Sequence, residues 1–161
     1  MLILNDSLFN KLLTEAEESK RKRSHYNIHQ NFEEPVQRLC IALKKGTYVR
    51  PHCHTTENFW EMMVALKGRV IFLEFDIDGL VLNRIQLNPG EGNTVVEYKP
   101  NTWHMVFPVD TEAVILEVKE GPFKPGKTTL YAEWAPEEGE VTVSDFLSWA
   151  LKAMPGEKYL S

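Results

Sequence analysis

Four residues of this sequence have the types and spacing best suited to chemistry. They are the pair His52 and His54, a glutamate within an apolar run, Glu61, and a third histidine after a turn, His104. In an extended segment alternate side chains share a face, so His52 and His54 point one way and Cys53 the other. Two imidazoles on one face can hold one ion together. Glu61 lies in Trp60-Glu61-Met62-Met63-Val64-Ala65-Leu66. A bare carboxylate buried there would cost roughly several kcal/mol unless a cation or hydrogen bonds offset it. Three imidazoles and one carboxylate suit a divalent transition metal such as Fe, Mn, Ni, Co or Zn. An ion that prefers octahedral coordination would keep adjacent positions open for a hydroxy acid, keto acid or sugar. The metal would then act as a Lewis acid; with iron(II), the open positions would instead suit dioxygen chemistry.

Residues around this set extend the reading. Strand alternation would place Tyr48 and Arg50 on the face of His52 and His54, with Arg50 able to meet an anionic group through its planar fork. Both are catalytic candidates. Glu117 and Lys119 share a face opposite Val114, Leu116 and Val118. They are either a solvent-facing charged pair or an acid and base at the mouth of a barrel. Trp60 and Trp103 read as core residues, Trp103 also as a surface against which a ligand could stack. Cys53, turned away from the histidines, reads as a buried apolar thiol. His25 and His29 have the i, i+4 spacing of ligands on a helix and form a rival metal site. Asn27 between them and Pro35 beyond them disfavour that helix.

The elements that must position these groups are mostly strands. Val36 to Leu43, Tyr48 to His54, Trp60 to Leu66, Arg69 to Phe75, Val81 to Leu87, Thr94 to Tyr98, His104 to Val109 and Ala113 to Lys119 are short apolar-rich runs separated by turn residues. This rhythm predicts an antiparallel sandwich or barrel rather than alternating strands and helices. Before it, Leu8, Phe9, Leu12, Leu13 and Ala16 predict a helix from about Ser7 to Ser19, followed by an irregular loop up to Pro35. After it, a short helix is predicted from Ser144, stopping before Pro155-Gly156. The reading is one domain overall: 1–35 an N-terminal helix and loop packing on the barrel, 36–120 the barrel, and 121–161 a C-terminal extension with a helix.

Composition narrows the function classes. A net charge of -5 argues against binding nucleic acid or an anionic membrane, since both need a dense basic surface. The cluster Lys20-Arg21-Lys22-Arg23 reads as a solvated face. No apolar run is long enough for a membrane span, and the first residues lack the pattern of a signal peptide. Two cysteines do not make a disulfide framework, so a cytoplasmic location is expected.

The stretch Gly46 to Gly68, with His52, His54 and Glu61 between the glycines, resembles the first cupin motif, with a longer loop between His54 and Glu61 than is commonest. Lys99 to His104 resembles the second motif, with Lys99 in place of its first proline and Asn101 in place of its glycine. Asn tolerates the left-handed backbone such a turn needs. The resemblance implies a mainly β cupin, a double-stranded β-helix or jelly-roll barrel, with His52, His54, Glu61 and His104 as metal ligands. Arg23 to His29, Pro35 to Arg38, Thr102-Trp103-His104, Leu116 to Pro122 and Trp134-Ala135-Pro136 narrow it to the WbuC-type cupin metalloproteins, found beside surface-polysaccharide biosynthesis genes. That narrower resemblance implies Asn27, His29 and Arg38 as ligand-facing residues beside Arg50 and Trp103. The broader cupin resemblance implies a homodimer. The functions expected are a metal-dependent isomerase, epimerase or lyase of a small oxygen-rich metabolite, a non-catalytic metal-assisted binding or sensing module, or an Fe(II) dioxygenase.

Overall fold

The computed structural model describes residues 1–55, 60–124 and 126–160. Its elements in chain order are α1 (Asp6–Glu18), β1 (Arg23–Asn27), β2 (Val36–Lys44), β3 (His52–His54), β4 (Glu61–Lys67), β5 (Val70–Phe75), β6 (Val81–Leu87), β7 (Val95–Tyr98), β8 (Trp103–Pro108), β9 (Glu112–Glu120), β10 (Thr129–Tyr131) and α2 (Val143–Ala150). The strands form two five-stranded sheets, β1-β2-β9-β4-β7 and β10-β3-β8-β5-β6. Every described pairing within them is antiparallel. The molecule is a cupin barrel, mainly β, with the N-terminal helix and short C-terminal helix that the sequence predicts.

Alternation assigns each strand an inner and an outer face. Inside, Ile41, Leu43, Met63, Phe72, Val106 and Ile115 from both sheets pack together. Outside the first sheet, α1 lays Phe9, Leu12, Leu13 and Ala16 against Cys40, Ala42 and Val114. Its N-cap is Asn5, whose side chain accepts the Leu8 N–H at 3.1 Å. Outside the second sheet, α2 and the C-terminal segment bring Phe146, Ala150 and Ala153 onto Leu73, Phe75 and Phe107. Both outer faces are therefore covered, which bears directly on the site.

Three local expectations are corrected. The segment after α1 is not all loop, because β1 pairs along β2 from Arg23↔Leu43 to Asn27↔Leu39. A second strand, β10, arises within the C-terminal extension, for which only a helix is expected, and it pairs with β3 from Thr129↔His54 to Tyr131↔His52. The run from Tyr48 shrinks to the three residues of β3, since Val49, Arg50 and Pro51 are irregular. Two turns behave as their residues demand. Asn101 takes a φ of 64°, and Gly68 a φ of 67°, where an added Cβ would lie 2.3 Å from the Glu112 carbonyl oxygen. Among the described residues no helix is long and apolar enough to cross a membrane.

Candidate metal centre and cavity

β3 and β8 pair at His52↔His104, which sets these two imidazoles side by side with ring centroids 4.4 Å apart. His54, two residues along the same face of β3, completes the group. One ring nitrogen from each of the three lies within 4.8 Å of the others. The Nδ1 atoms are engaged elsewhere: His52 Nδ1 lies 2.9 Å from the Arg50 carbonyl, His104 Nδ1 2.9 Å from the Thr102 carbonyl, and His54 Nδ1 3.3 Å from the Thr128 carbonyl. A carbonyl can only accept, so Nδ1 of His52 and of His104 carries the proton and their Nε2 atoms keep their lone pairs, while His54 Nδ1 also meets the Thr129 hydroxyl at 3.2 Å. That is the arrangement by which metal-binding histidines are oriented. Burial, then the neighbouring His104 and His54, holds His52 well below the usual imidazole range. Burial pushes His104 down to about 4. Both are neutral at physiological pH.

From the facing sheet, β4 contributes Glu61, which is 1% exposed, with Oε2 3.0 Å from His54 Nε2. Burial alone would raise its pKa, but Lys119, the His54 hydrogen bond and His104 outweigh burial and hold the carboxyl well below its usual range. The carboxylate is therefore ionised beside the neutral imidazoles of His52 and His104. Tyr98 Oη lies 3.2 Å from His104 Nε2, and burial together with Glu61 raises its pKa. This set, three convergent imidazoles and an anionic oxygen, fits a divalent transition metal.

The centre opens into a cavity of about 380 Å³. Its floor on the first sheet is built from rungs, which the strand registers fix. Gln37 pairs with Lys119, Lys119 with Glu61, and Glu61 with Tyr98. In the next rung inward, Asn27 pairs with Leu39, Leu39 with Glu117, and Glu117 with Met63. Glu117 and Lys119 thus face inward, joined at 2.6 Å. The solvent-facing alternative fails because α1 covers the outer face and claims Val114 and Leu116. Burial and then Glu61 raise the Glu117 pKa. Burial would lower the Lys119 pKa, but its two carboxylate neighbours raise it.

The other candidates divide. Asn27, His29 and Arg50 line the cavity. Arg50 donates to the Ala132 carbonyl at 2.8 Å and lies over the Tyr131 ring, 5.7 Å from its centroid. Tyr48 does not share its face. The chain is irregular there, and Tyr48 turns outward against Phe146 with its hydroxyl donating to the Pro136 carbonyl at 2.8 Å. Arg38 lies on the outer face of β2, paired with Glu34 at 2.7 Å. Trp103 packs with the C-terminal cluster. Cys53 is buried, as its outward alternation requires. Among the described residues the three histidines are the group that converges for a metal, and His25 and His29 are not part of it. Sequence reasoning missed Gln37, Tyr98 and Thr129. A glutamine inside an apolar strand was the one available signal.

No curated protein matches this chain. Residues 4–87, just over half of it, match the family described as a domain of unknown function, DUF6016. Among solved structures, the fold is similar to CapF, the capsular polysaccharide assembling protein from Staphylococcus aureus, with TM-score 0.57 and 19% identity over 71% of this chain. This chain spans only 33% of CapF. An uncharacterized conserved protein with a double-stranded β-helix domain from Klebsiella pneumoniae gives TM-score 0.56 and 12% identity, covering 83% of this chain and 98% of its own. An oxalate oxidase in complex with the substrate analogue glycolate gives 0.55 and 18%, covering 79% of this chain and 64% of its own. These likenesses show the fold.

Proposed function

This chain belongs to the DUF6016 family, and we propose that it is a metal-dependent cupin acting on a small oxygen-rich metabolite, a sugar, hydroxy acid or keto acid. His52, His54, His104 and Glu61 would hold one divalent transition metal. The observation that carries this is the convergence of one ring nitrogen from each of three imidazoles beside an ionised carboxylate, with Nδ1 of His52 and of His104 turned to backbone carbonyls. Bound there, the metal supplies Lewis acidity to oxygens of the ligand.

The remaining chemistry rests on the chain's own groups. Lys119 holds positive charge on the rung between Gln37 and Glu61 and suits a carboxylate or a developing oxyanion. Glu117, its pKa raised, is the cavity carboxyl suited to take and return a proton at its Oε atoms. Arg50 at the rim, and Asn27 and His29 on the β1 side, orient the ligand. The apolar side chains of Leu39, Ile41 and Val106 exclude water from part of the wall. The description of CapF as a capsular polysaccharide assembling protein, together with the WbuC-type resemblance, supports a link to surface-polysaccharide metabolism. We also assign a homodimer on the broader cupin resemblance, checked by light scattering.

The test is metal analysis by mass spectrometry of untagged protein prepared without chelators. About one equivalent of metal is expected in the native chain and none in a His52→Ala/His104→Ala variant. Absence of metal after reconstitution with each ion would overturn the centre. Metal-loaded protein that binds hydroxy and keto acids without turning any of them over would favour a binding module over an enzyme.

A further inference from the structure

On the β1 side of the cavity, two buried polar atoms lack protein partners among the described residues: His29 Nε2 and Gln37 Oε1. Both side chains line the cavity. His29 is 7% exposed and Gln37 1% exposed. Leaving such atoms unmatched costs about 1–3 kcal/mol each, so a stable fold keeps them for a reason.

Their hydrogen-bonding roles are fixed by what surrounds them. Within a strand the N–H and C=O of one residue point to the same side. The Arg38 carbonyl accepts the Ile28 and His29 N–H groups at 2.8 and 3.3 Å, so the Arg38 N–H also points toward β1. His29 Nδ1 lies 3.0 Å from that carbonyl and 3.1 Å from the amide nitrogen; the carbonyl already has its donors, whereas the N–H finds its acceptor in Nδ1. An accepting Nδ1 puts the proton on Nε2, making that atom a donor. Gln37 Nε2 faces three carbonyls, those of Glu34 at 2.9 Å, Phe32 at 3.2 Å and Asn31 at 3.4 Å. The amide can therefore sit only one way round, and Oε1 is an acceptor. Gly121 protects this arrangement, since a Cβ there would lie 2.1 Å from the Glu34 carbonyl and 3.1 Å from Gln37 Nε2.

Beyond the last β1–β2 pair, Asn27↔Leu39, the His29 N–H and Nδ1 both stay on the Arg38 backbone, and Gln37 is the residue before Arg38. A donor and an acceptor are therefore brought to the same end of the rung that runs through Lys119 to Glu61. We propose that His29 Nε2–H and Gln37 Oε1 form a subsite for a hydroxyl group of the ligand, whose oxygen accepts from His29 while its hydrogen is donated to Gln37. A carboxylate would satisfy His29 but confront Gln37 Oε1 with a second acceptor, and a methyl group would satisfy neither. Gln37 and Glu61 stand two strand spacings apart, about 10 Å between backbones. The ligand is therefore a polyhydroxy acid of about six carbons, with chelating oxygens at the histidines, its charge near Lys119 and a hydroxyl at the far end. This inference rests on the metal-centre reading for the position of the chelating end.

The probes are D-galactonate and D-fuconate, which differ only by the terminal hydroxyl, titrated calorimetrically into metal-reconstituted protein. D-galactonate should bind about 10- to 100-fold more tightly, because the deoxy acid leaves both atoms unmatched. In His29→Asn the amide oxygen takes over the Arg38 N–H while the Nε2 donor is lost, so the ratio should fall toward one with metal content unchanged. Equal binding of the two acids by the native chain overturns the subsite, leaving the pair as a hydration position. So does a ratio that survives in His29→Asn, and so does failure of metal-loaded protein to bind either acid. Discrimination by protein that takes up no metal would instead overturn the metal centre and leave the subsite standing.

Discussion

The cavity and the C-terminal aromatic cluster flank the same second sheet, and they treat polar atoms in opposite ways. In the cluster, Tyr48 donates to the Pro136 carbonyl, Trp134 Nε1 to the Ile77 carbonyl at 3.0 Å, and Arg84 to the carbonyls of Ala150, Leu151 and Ala153. Each polar tip ends on backbone that needed a partner, so Phe146, Trp149 and Tyr159 can pack around them. In the cavity, convergent imidazoles, a carboxylate pair sharing one ammonium, and the unmatched atoms of His29 and Gln37 remain. The cluster is aromatic because it holds the C-terminal segment down. The cavity is polar because its partners come from outside the chain. Residue type alone does not separate the two regions, since tyrosine and arginine occur in both.

The contrast can be broken by experiment. The largest effect is expected from Phe146→Ala, which removes a fully buried ring from the cluster and should cost about 3–5 kcal/mol in chemical denaturation. Metal content per folded molecule should not change, and loss of metal in that variant would join the two regions. Next is acid sensitivity of the chelator-treated protein. His104 titrates near 4 when folded but near ~6.5 when unfolded. The unfolded chain therefore binds more protons between those values, and stability is lost as pH falls from ~6.5 toward 4. His52 acts in the same direction. The expected loss is a few kcal/mol, at about 1.4 kcal/mol per unit, read from denaturation midpoints against pH. A flat profile would show that the imidazoles are not buried neutral groups. The smallest effect belongs to Tyr48→Phe, about 1 kcal/mol of stability from the lost Pro136 hydrogen bond. Ligand affinity should be unchanged in calorimetry, and a tenfold fall would return Tyr48 to the site.

Much of the centre was legible in the chain. The β3 alternation of His52, Cys53 and His54 is a local property that survives in the folded protein. Glu61 follows from the apolar run it opens, and His104 from the turn at Asn101 that precedes it. The positions of Arg38 and Tyr48 were not legible. One turned on which side of β2 faces in, the other on a segment whose pairing is lost before β3.

The strand rhythm, the apolar face of α1, and the three histidines with Glu61 are written into the chain, because each depends on a spacing within one short segment. That Glu117 and Lys119 face the cavity, that Gln37 shares their rung, and that β1 and β10 exist as strands at all emerges only from packing. A period of two states which side chains share a face, not which face is inside. That depends on what covers the sheet, and here α1, distant in sequence, covers the outer side of β9 and turns its charged residues inward.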